Sequence, residues 1–326
     1  MRAIVITKPG GPEVLQIQEV ADPVPADGEV LIRVKAFGVN HAETHMRKGE
    51  WPEATPVSGI EAVGTVAADP SGVLAVGTKV LTIMGGLGRN RNGSYAEYTL
   101  AQAANVARIE TSLDWTDLAA IPESYATGWL TLRGNLELAA GQSLLVRGAT
   151  SALGQAAVNI ASDLGARVIA TTRRQDRAAL LRSLGARDVV LETGNIAGQV
   201  RELVPAGADR VLDLVGNTVL RDSLQAARVR GRVCQAGFLG GLGPVTDFLP
   251  MADLPSGVQF SFFGSFDVGT DAFPLSAIPL QSIVSKVEAG DYTARPAQVF
   301  AFEKIAEAHR LMDSGLAGGK LVVEVA

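Results

Sequence analysis

Along the first third of the chain, apolar and polar residues trade places over short runs. Residues 30–39 alternate around Leu31, Arg33 and Lys35, and residues 63–67, 78–83 and 95–100 are further runs rich in β-formers. Turn chemistry separates them, as in Pro9-Gly10-Gly11-Pro12 and Asp69-Pro70-Ser71-Gly72. Short strands at this spacing predict a barrel-like or open β domain.

From about residue 119 the period changes. Apolar strands at 143–147, 167–172, 188–191, 210–215 and 232–236 alternate with amphipathic helices at 154–164, 176–184, 196–203 and 218–227. Continuous apolar strands between helices predict a parallel sheet covered on both faces. Beyond about 265 the pattern is mixed: helix 275–289, strand 297–300, helix 302–312 and strand 320–325. The last strand lies too far along to extend the βα series, so it is expected back on the N-terminal domain. The fold class is therefore α/β, with a β-rich domain of residues 1–118 and 266–326 and an inserted doubly wound domain of residues 119–265. No tandem repeats or low-complexity tracts interrupt it.

Chemistry concentrates at the first turn of the βα series, Leu144-Leu145-Val146-Arg147-Gly148-Ala149-Thr150-Ser151-Ala152-Leu153-Gly154. A buried strand, a turn of small residues and a helix form the device that cradles a dinucleotide pyrophosphate on a helix N-terminus. Ala149 and Ser151 stand where the first two glycines of the usual fingerprint belong, and Gly154 keeps the third place. An NAD site carries Asp or Glu about 20 residues after the glycines. Here Thr172 is followed by Arg173 and Arg174, with Arg177 one turn later. Guanidinium groups suit a phosphate dianion, so the cofactor expected is NADPH. A solvated arginine face is the competing explanation. Asp176 is the acidic candidate for an NAD ribose, but an acid at a helix start commonly serves the helix dipole.

Composition narrows the rest. A chain of 326 residues, 47% hydrophobic and 19% charged, has ordinary globular composition and room for two domains. A net charge of −5 argues against general nucleic-acid or anionic-membrane partners. No stretch approaches the roughly 18 apolar residues of a membrane span. Residues 1–6 lack the apolar core of a signal peptide, which makes the cytoplasm the expected compartment. The single cysteine, Cys234, forbids an intrachain disulfide and a four-cysteine zinc site, and reads as filler in a buried strand. Three histidines, His41, His45 and His309, leave little material for a catalytic metal, and none is expected.

In order and spacing, several segments resemble the medium-chain dehydrogenase/reductases, and within them the zinc-independent quinone oxidoreductases. These are Gly38-Val39-Asn40, Gly59-Ile60-Glu61-Ala62-Val63-Gly64, Gly93-Ser94-Tyr95-Ala96-Glu97-Tyr98, residues 122–129, the turn above, Leu184-Gly185-Ala186, Asp213-Leu214-Val215-Gly216 and Gly319-Lys320. The likeness covers essentially the whole chain. It implies a GroES-like β domain, a Rossmann domain, a cleft between them and a homodimer. Zinc-dependent relatives carry Gly-His-Glu where this chain has Gly59-Ile60-Glu61, and the cysteine ligand expected near Asn40 is absent. A tyrosine common in the segment 39–49 is replaced by His45, and an aromatic that contacts adenine in some relatives is missing near Glu192.

On these grounds Ala149, Thr150, Ser151, Ala152, Leu153 and Gly154 are expected to wrap the pyrophosphate, with Thr172, Arg173, Arg174 and Arg177 on the 2′-phosphate. Gly216, Gly237 and Phe238, at the ends of later strands, are expected to border the nicotinamide. The resemblance adds Thr127, Lys320 and Asn40. His45, Tyr125 and Asn40 are the catalytic candidates, beside His41, Trp51 and Tyr95. Residues 84–93, rich in glycine, read either as a lid over the site or as an exposed hairpin end. Residues 248–266 read as a subunit interface or as a buried interdomain strand. The expected function is metal-free, NADPH-dependent hydride transfer to a quinone or conjugated enone. The rivals are an alkenal or enoyl-thioester double-bond reductase and a non-catalytic NADPH-binding sensor or structural protein.

Overall fold

The computed structural model describes residues 1–51 and 53–325. Along the chain run β1 (Arg2–Ile6), β2 (Leu15–Glu19), β3 (Glu29–Val39), α1 (His41–Lys48), β4 (Glu61–Ala68), β5 (Lys79–Ile83), β6 (Tyr98–Gln102), β7 (Val106–Arg108), α2 (Trp115–Leu118) and α3 (Pro122–Leu130). There follow β8 (Ser143–Arg147), α4 (Ala152–Asp163), β9 (Arg167–Thr172), α5 (Ala178–Ser183), β10 (Asp188–Leu191), α6 (Ile196–Leu203), β11 (Ala208–Asp213), α7 (Leu220–Ala226) and β12 (Ala227–Gln235). The chain closes with α8 (Pro250–Asp253), β13 (Gln259–Phe262), α9 (Leu280–Ala289), β14 (Gln298–Ala301), α10 (Ile305–Asp313) and β15 (Leu321–Glu324). Two compact units result: Met1–Ala126 with the segment from Ser265 onward, and Thr127–Gly264.

The first unit is organised by β3, whose length lets one edge serve two partners. Its first half pairs with β6 and its second half with β15, both antiparallel, while β4 takes the other edge. The resulting sheet runs β14-β15-β3-β4-β5-β7. Val30, Ile32, Val34 and Ala36 of β3 are buried and Arg33 is exposed, as alternation requires. Phe37 and Tyr95 stack with centroids 4.5 Å apart in a core shared with Phe302, Ile305 and Val323. Tyr95 thus lies in irregular chain, and the strand expected at 95–100 begins at Tyr98.

The second unit holds a six-stranded parallel sheet, β10-β9-β8-β11-β12-β13, with its core around Leu145, Ile169, Val211 and Val233. The order reverses between β8 and β11, the topological switch point at which such sheets bind ligands. Several element limits differ from expectation. Pro279 divides the helix expected at 275–289: Ile278 before it is extended, and α9 starts only at Leu280. The helix expected at 176–184 opens with a tighter turn, Gln175–Arg177, so α5 starts at Ala178. The strand expected at 232–236 begins at Ala227, directly after α7. β13 is an edge strand with Phe260 and Phe262 44% and 49% exposed, so residues 248–266 are not a buried interdomain strand.

Candidate active site

The phosphate turn is built by close approach. A Cβ on Gly154 would lie 2.5 Å from the Gly148 carbonyl oxygen and 2.6 Å from Ala149 Cα, so only glycine lets α4 begin this near the end of β8. Gly148 itself turns with φ of +80°. Ser151 caps α4: its hydroxyl accepts from the Gly154 N–H at 3.1 Å and donates to the Gly148 carbonyl at 2.9 Å. The N–H groups of Ala152 and Leu153 lie in the first turn of α4, where a helix offers no internal acceptor. Ala149 is fully buried, while Thr150, Ala152 and Leu153 are half-buried. A glycine cradle with donors directed outward from a helix N-terminus fits a pyrophosphate.

The loops after β11 and β12 close in beside it. Asp213, buried, accepts the N–H groups of Val215 and Gly216 at 2.8 Å each. A Cβ on Gly216 would meet the Gly237 carbonyl oxygen at 2.5 Å, and one on Gly148 would meet Leu239 at 3.1 Å. Gly148, Gly216 and Gly237 therefore gather at the carboxyl ends of β8, β11 and β12, with Phe238 packed on Phe262 at 5.7 Å. Thr127, in α3, is buried.

At the end of β9 the Thr172 hydroxyl accepts from the Arg174 N–H at 3.1 Å and fixes the turn. Arg173 and Arg174 are exposed and Arg177 half-buried. Arg174 is paired with Asp176 at 2.5 Å, and this hydrogen bond and charge raise the Arg174 pKa and lower that of Asp176. Asp176 thus serves Arg174 in this structure.

A charged cluster lies under the turn. Arg147, 2% exposed at the end of β8, is ion-paired with Glu192 after β10 and with Asp222 of α7 at 2.8 Å. It also donates to the Ser223 hydroxyl at 3.0 Å, which in turn donates to Asp213 at 2.6 Å. Asp222 accepts the Ile196 and Ala197 N–H groups that open α6, at 3.0 and 3.1 Å. Arg147 so ties β8, β10, α6 and α7 together.

The first unit carries a second buried cluster at the start of α1. The Asn40 amide donates to Glu61 at 2.9 Å and Glu43 at 3.2 Å, while its oxygen accepts from Lys320 at 2.6 Å. Lys320 is only 4% exposed and ion-paired with Glu61. Burial works against its charge, but Glu61 and Glu123 hold its pKa above the usual lysine value. Burial, with the Glu61 charge, raises the Glu43 carboxyl to about 7. The Asn40 and Ile60 N–H groups pointing at Glu43 favour its ionised form. Lys320 is therefore an enclosed charge, and the Asn40 amide, engaged through both its nitrogen and its oxygen, links Glu43, Glu61 and Lys320.

His45 is paired through Nδ1 with Glu50, and its ring stacks on Trp51 at 5.5 Å. Tyr125 is buried against Tyr292 at 5.7 Å and donates to the Thr293 carbonyl at 3.3 Å. Burial, with Tyr292 beside it, pushes its pKa up. Residues 84–93 are packed against their own unit rather than forming an exposed hairpin end. Leu87 and Gly88 are buried, the Gly86 carbonyl accepts from Arg89, Asn90 and Arg91, and a Cβ on Gly88 would meet Gly59 N and Met46 Sδ at 3.3 Å. Arg89 lies over Trp51 and Phe266, at 5.5 and 4.8 Å from their centroids, and pairs with Glu53 at 2.6 Å.

Known proteins match both units. The family model of the alcohol dehydrogenase GroES-like domain covers residues 26–111, and that of zinc-binding dehydrogenases covers residues 152–281. The human quinone oxidoreductase is 30% identical over 332 residues, 99% of this chain and 97% of its own. The chain belongs to the quinone oxidoreductases of the medium-chain dehydrogenase/reductase superfamily. Among solved structures, mycobacterial Rv1454c complexed with NADPH is 27% identical with a TM-score of 0.87, each chain covered in full. An NAD-dependent alcohol dehydrogenase, also covered in full, is 31% identical with a TM-score of 0.84. This quinone oxidoreductase relative is accordingly a nicotinamide-dependent oxidoreductase with a GroES-like unit and a Rossmann unit.

Sequence reasoning missed the Arg147 cluster, although a signal stood in plain view. An arginine interrupts the apolar run Leu144-Leu145-Val146, and an acid closes Val189-Val190-Leu191. A charge inside a buried strand requires a partner. It also missed that Arg89 stacks beside Trp51. Cys234 is buried as expected, with its thiol pushed up to about 12 by burial.

Proposed function

We propose that the protein is an NADPH-dependent, metal-free reductase of quinones and similar conjugated carbonyl compounds. The observation that carries the cofactor reading is the end of β9, where Arg173 and Arg174 stand exposed and no acid closes the strand. Asp176, the candidate ribose acid, is held by Arg174. The NADPH complex of Rv1454c supports the same reading. Gly148 to Gly154 hold the pyrophosphate through main-chain N–H groups, and Gly216, Gly237 and Phe238 border the nicotinamide. When bound, the cofactor supplies a hydride.

A conjugated acceptor spreads the incoming charge over its own π system, so the protein needs to supply position and hydrogen bonds rather than a Lewis acid. His45 is the acceptor-side group. Its Nδ1 is paired with Glu50, and Nε2 is the ring nitrogen offered to the acceptor oxygen. The metal-free reading is supported by Ile60 and Asn40 at the two places where zinc-dependent relatives place ligands, and by the engagement of Glu61 with Lys320. Among the described residues no group of three His, Cys, Asp or Glu side chains is arranged to hold a metal ion. No helix among them is long and apolar enough to cross a membrane. We further propose a cytoplasmic homodimer, joined along the open edge of β13.

Replacing Arg173 and Arg174 together by alanine tests the cofactor reading by titration of nicotinamide fluorescence. NADPH is expected to weaken roughly ten- to a hundredfold, as loss of charge-assisted hydrogen bonds implies, with NADH unchanged. Equal losses for the two cofactors, or none, would remove the 2′-phosphate site.

A further inference from the structure

Ser223 is fully buried on α7. A serine inside a helix can turn its hydroxyl back to the carbonyl four residues earlier, here that of Val219. That carbonyl is already engaged twice, by the Ser223 N–H at 3.0 Å and by Arg147 Nη1 at 3.2 Å. Both its lone pairs are thereby used. The same Nη1 donates to the Ser223 oxygen at 3.0 Å. Arg147 therefore closes the alternative, and the hydroxyl proton goes to Asp213 Oδ2 at 2.6 Å. Asp213 Oδ1 in turn takes the N–H groups of Val215 and Gly216. These donors all point the same way along the chain of bonds, the arrangement in which successive hydrogen bonds strengthen one another. The turn that Asp213 shapes then holds the next one. The Leu214 carbonyl accepts from Leu239 at 3.1 Å and the Val215 carbonyl from Gly240 at 2.8 Å. A Cβ on Gly237 would lie 2.5 Å from the Leu214 carbonyl oxygen. Gly237 and Phe238 are thus seated on the turn after β11.

We propose that Arg147 and Ser223 are positioning residues for the nicotinamide end of the cofactor site, acting through Asp213 on the turns that carry Gly216, Gly237 and Phe238. The inference rests on the nucleotide-binding reading above but does not depend on which of the two nicotinamide cofactors is preferred. Neither side chain touches the ring. Their effect is to fix the wall against which it lies, and so the direction in which the hydride is presented.

The test compares Ser223→Ala and Ser223→Thr with the wild-type protein. ADP-ribose and its 2′-phosphate, which lack the nicotinamide ring, are titrated by calorimetry, and NADPH and NADH by nicotinamide fluorescence. Ser223→Ala is expected to weaken the complete nucleotides roughly fivefold to tenfold, the scale of a lost hydrogen bond to a charged group, and the ringless ones less than about twofold. Its kcat with a quinone is expected to fall roughly tenfold or more, because a small misplacement of reacting atoms is costly. Ser223→Thr keeps the hydroxyl and is expected to recover to within about threefold of wild type on both measures. Should these variants fail to fold, Arg147→Lys keeps a charge for Glu192 and Asp222. It gathers its donors on one nitrogen, which cannot also serve the Ser223 and Val219 oxygens, and is expected to show the alanine pattern. Equal losses for ringless and complete nucleotides, no loss for either, or a threonine variant as impaired as the alanine one would overturn the proposal. Wild-type protein that binds none of these ligands would overturn the nucleotide reading, and this one with it.

Discussion

His309 is fully buried on α10, with Nε2 3.1 Å from the Tyr95 hydroxyl and the Arg47 charge close by. Burial, with that charge, lowers its pKa from 6.5 to about 3. In the unfolded chain it protonates near 6.5, so unfolding takes up a proton between that pH and roughly 3. Its contribution is complete above pH 6.5 and is lost as the pH falls. Urea denaturation at pH 6.5 and 5.0 should show a loss of about 2 kcal/mol from this histidine. His309→Asn should flatten the slope by that share, and an unchanged slope would contradict it. Single residues were legible where local geometry alone constrains them: Gly154 fits because nothing larger does. The Asn40, Glu61 and Lys320 cluster was not legible as an arrangement, since it joins residues from three distant parts of the chain.

Elements were most legible where hydrophobic period and turn chemistry agree, as from β8 through β11. They failed where one residue overrides the period. Pro279 splits a continuous helical pattern, and the short runs near Tyr95 look like strand although the ring is engaged by Phe37. The segment ending in β13 shows what periodicity leaves open, since an apolar strand reads the same whether it is covered by its own chain or by another. Phe260 and Phe262 are about half exposed on the outer edge of the six-stranded sheet, with Leu249 and Met251 exposed nearby in sequence. Unpaired, such an edge is a template for association. Phe260→Asp is therefore expected to turn a dimer into a monomer in sedimentation analysis, with nicotinamide nucleotide binding retained. A wild-type monomer, or a variant that stays dimeric, would exclude this edge as the interface.

At the scale of the whole molecule, the architecture could be read from the order of its segments, because a parallel sheet with a switch point follows from alternating strands and helices. The return of β15 to β3 follows from its distance beyond that series. The acceptor was not legible. Shape and polarity around His45, Trp51 and Arg89 come from loops whose packing no period encodes, and relatives of this fold differ in what they reduce or oxidise. We propose that the protein transfers hydride from NADPH to a conjugated carbonyl without a metal. The most direct test is the initial rate of NADPH and NADH oxidation by purified, metal-analysed protein with an ortho-quinone, a para-quinone and a 2-alkenal offered separately. Rapid oxidation of NADPH over NADH with a quinone, by protein free of stoichiometric zinc, is the predicted result. Tight NADPH binding without turnover on any of the three acceptors, or activity that follows bound zinc, would contradict it.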